Sequence, residues 1–349
     1  MDNLTREDAL RLRRASHLLG GSELTPAEVV DRAIALQGQD LPAVLRAIAM
    51  RSAPGTTVAD VRAAFDRGEL VRSWPVRGTL FATTPAHLRA LLSLTSERLH
   101  RATVKRRAAL ELDDATITAA RDIGLRMMAS PGEGPTRAEL LEAWEDAGIS
   151  AAGGRGYHLI VHNAIGGAWH WGRFRGEEQE LVATPSGEVP DDPLPGIVRG
   201  LVAARGPVTD ADLAWWLKLP KGQVRAALAG AGVTEVAVDG AKAFVVADAV
   251  AGVREPDGPD APIDLVPGFD EWILGYEDRS LVASPEMQAA LVPGNNGVFK
   301  PAVLLDGTVV GTWQGLSKTR RESSHELFEK VRAADRRRID AALAAWPLA

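Results

Sequence analysis

The 349-residue chain contains no cysteine. That excludes disulfides, cysteine-ligated zinc, iron–sulfur clusters and thiol nucleophiles, and it fits a reducing compartment such as the cytoplasm. No apolar run approaches the roughly 18 residues that a membrane-spanning helix needs, and no charged-then-apolar leader opens the sequence. A glycine-rich phosphate loop, a dinucleotide fingerprint and the kinase signatures are also missing. His158 and His162 have the spacing of one helix face, with His170 beyond them. The Glu of a metalloprotease helix is not between them, and no carboxylate is spaced as a third ligand. The sequence therefore predicts neither a metal nor a cofactor. His162-Asn163 is left either to contact a ligand or simply to pack.

What remains is an ordinary globular composition, 46% apolar and 25% charged, with length enough for two or three domains. The formal net charge of −6 argues against an indiscriminate nucleic-acid binder, yet the basic residues cluster. Arg98, Arg101 and Lys105 fall in one stretch with Arg106 and Arg107. Lys318, Arg320 and Arg321 form a second group, and Arg11, Arg13 and Arg14 a third. One such group ordinarily marks a solvated helix face. Three in a net-acidic chain point to a bipolar molecule and a polyanion partner.

One order of elements recurs three times: helices, then a two-stranded hairpin. In the first copy the pattern predicts helices at 4–19, 25–37, 40–51 and 57–67, and a hairpin from Leu70–Pro75 and Thr79–Thr83 turning near Val76-Arg77-Gly78. The second copy predicts a helix over Asp114–Met128, Thr136 capping Arg137–Ala147, a helix over Arg155–Ala164, and strands around Ala168–Trp171 and Glu180–Ala183 with Gly172 and Gly176 in the turn. In the third copy the helices are 195–206, 210–218 and Lys221–Gly230, followed by strands Val233–Val238 and Ala241–Val246 on either side of Asp239-Gly240. Helix-turn-helix followed by a hairpin is the order of a winged helix. The copies share little sequence, so the repeat rests on element order alone. Segments 185–195 and 251–262 are rich in Pro, Gly and Asp and read as linkers. The last module begins with a strand at Ile263–Val266, continues with a hairpin through Asp306-Gly307, and closes on a long helix, Arg321–Ala344. The fold class that follows is α+β, mainly helical, in four parts: 1–110, 111–190, 191–255 and 256–349.

The triplet Gln37-Gly38-Gln39 interrupts a helical pattern. Residues two apart on a helix point about 200° from one another, so two amides reach one target only from a bend. Glycine tolerates the left-handed conformation that ends helices, and Asp40 with Pro42 can start a new one. The plain alternative is a helix–helix joint with two solvated glutamines. Arg77-Gly78-Thr79 at a hairpin tip suits phosphate, with donors beside a residue that permits close approach, or is an ordinary tight turn. Asp270, Glu271 and Asp278 are of general acid–base type, or belong with Arg279 to a structural Asp–Arg network.

Taken in order, Leu36-Gln37-Gly38-Gln39-Asp40, Arg77-Gly78-Thr79-Leu80, Pro267-Gly268-Phe269-Asp270-Glu271, Leu274-Gly275-Tyr276, Asp278-Arg279-Ser280 and 293–299 resemble the AlkZ/YcaQ family of winged-helix DNA glycosylases. The resemblance covers about residues 5–340. It implies three tandem winged helices around a concave DNA-binding channel. It also implies excision of N7-alkylated purines, unhooking of interstrand crosslinks in double-stranded DNA, and catalysis by Gln37 and Gln39. Gly38 replaces a larger apolar residue usual in that motif, and Phe81 stands where a histidine is frequent. A monomer acting in the cytoplasm is expected. A non-catalytic winged-helix DNA-binding protein, such as a regulator, and a helical interaction module are the competing readings.

Overall fold

A computed structural model describes residues 2–129, 134–247, 261–316, 320–328 and 330–346. They fall into two compact units, Met1–Val61 with Leu194–Ala349, and Arg62–Pro193.

The Arg62–Pro193 unit is built from two hairpins and the helices between them. Strands Val71–Val76 and Thr79–Thr83 turn at Arg77 (φ 59°) and Gly78 (φ 73°). Two left-handed residues in succession define the type I′ turn, whose twist matches that of paired strands. Trp169–Arg175 pairs with Glu178–Ala183, and Arg72 faces Trp171, so both hairpins join one sheet. Gly172, expected in a turn, lies within a strand at a register shift. A Cβ there would meet Val182 Cγ2 at 2.7 Å, so the glycine serves close approach rather than chain reversal. Thr136 and Glu139 form a capping box that starts helix Arg137–Asp146. The core is Trp-rich: Trp74, Trp144 and Trp169 pack with Leu140, Leu159 and Leu181. Two of these indoles are hydrogen-bonded, Trp144 Nε1 donating to Ala120 O (2.9 Å) and Trp169 Nε1 to Ile160 O (3.1 Å). The basic stretch 98–107 lies on helices Pro85–Ala102 and Val104–Ala109, which the sequence pattern did not delimit.

The other unit holds two sheets. Helices Leu194–Arg205, Asp210–Leu217 and Lys221–Gly230 precede the hairpin Thr234–Val238/Ala241–Val245, in the expected order and turning at Asp239-Gly240. An unexpected strand, Asp2–Leu4, pairs in parallel with Thr234–Val238, so the first helix is shorter than predicted, Arg6–Ser16. The last module is a four-stranded antiparallel sheet, ordered Ser324–Leu327, Thr308–Gln314, Ala302–Leu305, Ile263–Val266. The long closing helix expected over 321–344 is corrected accordingly. Ser324–Leu327 takes the open edge of Thr308–Gln314, where its backbone finds partners that helical propensity did not foresee, and the helix is only Ala333–Ala344. That helix covers Leu265, Val303, Val310 and Trp313 with Ile339 and Leu343. The expected linker 251–262 falls almost wholly outside the described residues.

Candidate active site at the glutamine bend

Helix Pro26–Ala33 starts on a capping box between Thr25 and Glu28. It ends at Ile34, whose φ of 66° and ψ of −55° are those of a strained γ-turn. The break therefore comes four residues before Gly38, where the sequence placed it. Ala35–Gln37 is a short extended segment, and Asp40 opens the next helix, Leu41–Ala49, by accepting from Ala43 N at 3.0 Å. A β-branched residue with positive φ costs on the order of 1–3 kcal/mol and persists only where its surroundings fix it.

Arg205 supplies that constraint. It ends helix Leu194–Arg205, with its side chain 2% exposed. Its Nη1 donates to Ala33 O (3.0 Å) and its Nη2 to Ala35 O (2.9 Å), so one guanidinium grips the carbonyls on both sides of Ile34. Glu271, 1% exposed, balances the charge at 3.0 Å and accepts from Trp216 Nε1 at 2.9 Å through the same oxygen. The guanidinium lies 4.7 Å from the Trp216 ring centroid. Gly200, on the same helix as Arg205, leaves room for Ile34. A Cβ there would meet Ile34 Cδ1 and would lie 2.8 Å from Ile34 Cγ1.

Downstream of this clamp, Gln37 is buried, and its Oε1 accepts the backbone N–H of Gln39 at 3.2 Å. Gln39 itself is exposed. The first amide thus ties the bend to itself, and the second stands at its solvent side.

The 267–276 stretch is largely support. Asp270 is buried in an ion pair with Arg51 (2.8 Å) and caps Trp272 N (2.9 Å). The network reading named Arg279 as partner; the partner is Arg51. Arg279 instead donates to Ile273 O (2.9 Å), and Asp278, exposed, accepts from Ser280 N (2.8 Å). Tyr276 donates to Arg205 O (2.5 Å) and meets His17 Nε2 at 2.9 Å. Burial raises the Tyr276 hydroxyl pKa and pushes His17 well below its ordinary value, so both stay neutral.

The remaining candidates are placed as follows. In the Arg62–Pro193 unit, Arg98 is half-buried and its pKa is lowered by that burial. Arg101 is exposed and paired with Glu97, and Lys105 is exposed. His162 stacks on His100 (centroids 4.1 Å apart) rather than joining His158, and burial foremost brings its pKa to about 4. Arg77 lies 5.1 Å from the Phe81 ring centroid, Thr79 is half-buried, and Gly78 is exposed with open space beside it. In the other unit, Arg320 donates to Gly315 O (3.0 Å) and Arg321 is exposed, whereas Lys318 lies outside the described residues. Among the described residues no helix is long and apolar enough to cross a membrane.

Sequence reasoning missed Ile34, Gly200 and Arg205. Arg205 left a readable signal: it continues the apolar stripe of Ile197, Val198, Leu201 and Val202, and a charge on a buried face demands a buried partner.

A family model described as DNA glycosylase AlkZ-like matches residues 30–347, and the chain belongs to that family. It is similar to the interstrand DNA cross-link repair glycosylase of Streptomyces sahachiroi, 34% identical over 131 residues. That stretch is 36% of this chain and spans about a third (35%) of the relative's length. The solved structure of Streptomyces sahachiroi DNA glycosylase AlkZ superposes with a TM-score of 0.80 at 22% identity, covering 99% of this chain and 97% of that one, which establishes a shared fold.

Proposed function

We propose that the protein is a monofunctional DNA glycosylase that hydrolyses the N-glycosidic bond of N7-alkylated purines in double-stranded DNA, including those that crosslink its strands. The observation that carries this reading is the clamped bend, with Gln37 tied to the Gln39 backbone and Gln39 exposed. Family membership supports it.

The chemistry suits neutral amides. An N7-alkylpurine is already cationic, so its departure needs no strong acid. The bond from C1′ to N9 breaks, its electron pair neutralises the base, and the sugar becomes oxocarbenium-like. Water then attacks C1′ and yields its proton to solvent. The amides of Gln37 and Gln39 orient that water and favour the developing positive charge. No lysine nucleophile is required, so the base leaves without strand cleavage. Within the same proposal, the three helix-and-hairpin sets are winged helices that bind DNA. Arg77, Gly78, Thr79, Arg98, Arg101, Lys105, Arg320 and Arg321 are the phosphate contacts, and a monomer in the cytoplasm does the work.

Incubation with duplex DNA carrying N7-methylguanine tests it. Wild type releases free base with the strand intact. Gln39→Ala lowers turnover sharply and leaves DNA affinity within a few-fold, because an amide that positions water contributes mainly in the transition state. Binding without release would favour a non-catalytic DNA-binding protein. No salt-dependent binding would remove DNA altogether.

A further inference from the structure

A cleft of about 400 Å³ has among its lining residues Asp40, the residue after Gln39. Its size is within the roughly 300–1,000 Å³ of small-ligand sites. Phe269, Phe299, Trp313 and Trp346 make its aromatic wall. Phe269 is held at φ 60°, a strained value for a bulky side chain, and its ring centroid lies 6.2 Å from that of Phe299. Val298 and Leu316, 54% and 38% exposed, line the same cleft. The lining holds three cations, Arg46, Lys300 and Arg320, and one acid, Asp40.

An apolar, aromatic cavity with excess positive charge is matched by a ligand that has a flat apolar body and an anionic group. Strain kept at Phe269, where Pro267-Gly268 and Pro301 also line the site, marks a built feature rather than a gap left by packing. We infer that this cleft binds one unpaired nucleotide of the DNA, its base against the Phe269/Phe299 wall and its phosphate on Lys300 and Arg46. Every lining residue belongs to the Met1–Val61/Leu194–Ala349 unit. The site is separate from the amides: it is a holding position for a nucleotide displaced from the stack, not part of bond cleavage.

The test uses the full chain and undamaged DNA, so it is independent of base release. Fluorescence anisotropy compares a duplex carrying one bulged nucleotide with a fully paired duplex of equal length. Wild type binds the bulged duplex about tenfold more tightly, as expected from stacking one base on an aromatic side chain at roughly 1–3 kcal/mol. Val298→Asp, an exposed position where folding is not at stake, removes the preference and leaves paired-duplex affinity within twofold. Phe299→Leu, which retains bulk, reduces it. Lys300→Ala lowers the salt slope on the bulged duplex by about one relative to wild type. Equal binding of the two duplexes by wild type, or a preference untouched by Val298→Asp, overturns the inference. A preference that follows the size of an apolar adduct on a paired base, rather than unpairing, overturns it as well and assigns the cleft to the adduct. A failed glycosylase assay with an intact bulge preference refutes the proposed function and leaves this site standing.

Discussion

Glu271→Gln separates the clamp from the amides it positions. The carboxylate is 1% exposed and Arg205 2%, at 3.0 Å, so neither charge has water to fall back on. The substituted amide would keep a hydrogen-bond acceptor for Trp216 but leave the guanidinium without a counterion. Breaking a buried pair from one side costs about 3–5 kcal/mol. Whole domains are held by about 5–15 kcal/mol, so the loss should be plain in a urea titration. Base release should fall further than stability alone explains, because the same guanidinium holds Ala33 and Ala35 around the strained Ile34. The double variant Arg205→Met/Glu271→Leu divides the two effects. Replacing a buried pair with apolar side chains is often neutral for stability, so folding should recover, whereas release should stay low because the carbonyls are no longer gripped. If Glu271→Gln unfolds within about 1 kcal/mol of wild type and releases base normally, the clamp argument is wrong.

Gly200→Ala should cost about 1–3 kcal/mol by overpacking against Ile34 and should slow base release. Gly196→Ala, on the same helix with nothing within 4 Å of the new Cβ, should do neither; equal effects in the two variants would refute the contact. Arg77→Ala should weaken binding to all duplex sequences alike and lower the salt slope by about one, and an unchanged slope would remove its phosphate role. His170 is 3% exposed and burial holds its pKa at about 4, against 6.5 ordinarily. The unfolded chain therefore takes up a proton that the folded one refuses. Stability from this group is complete above pH 6.5 and is lost as pH falls toward 4, by up to roughly 3 kcal/mol. His170→Phe should flatten urea-derived stability over that interval relative to wild type.

The hairpins were legible because their signals are local. Arg77-Gly78, Asp239-Gly240 and Asp306-Gly307 each supply two consecutive residues with positive φ between alternating strands. The helix cap at Thr136 was equally self-contained. The bend was legible only as a location. Its cause is a guanidinium arriving from helix Leu194–Arg205, and no local preference would put an isoleucine at a positive φ. The strand Ser324–Leu327 failed for the same kind of reason, since its partner edge exists only once Thr308–Gln314 has folded. The Asp270 cluster was recognised as dense in charge, but its pairing with Arg51 depended on tertiary placement that spacing does not encode.

The unit that carries the bend is discontinuous in the chain: 132 residues, Arg62–Pro193, are synthesised between its two segments. At about 5–20 residues per second, a ribosome that has released Gln37 needs roughly 7–26 s merely to traverse that insertion. Arg205 and then Glu271 follow only later. The two glutamines therefore leave the exit tunnel long before the groups that brace their bend, and nascent chains of every length short of Glu271 lack the assembled clamp. A polypeptide that ends before residue 271 carries the glutamine triplet without the pair that fixes Ile34, so truncation there leaves the bend unbraced.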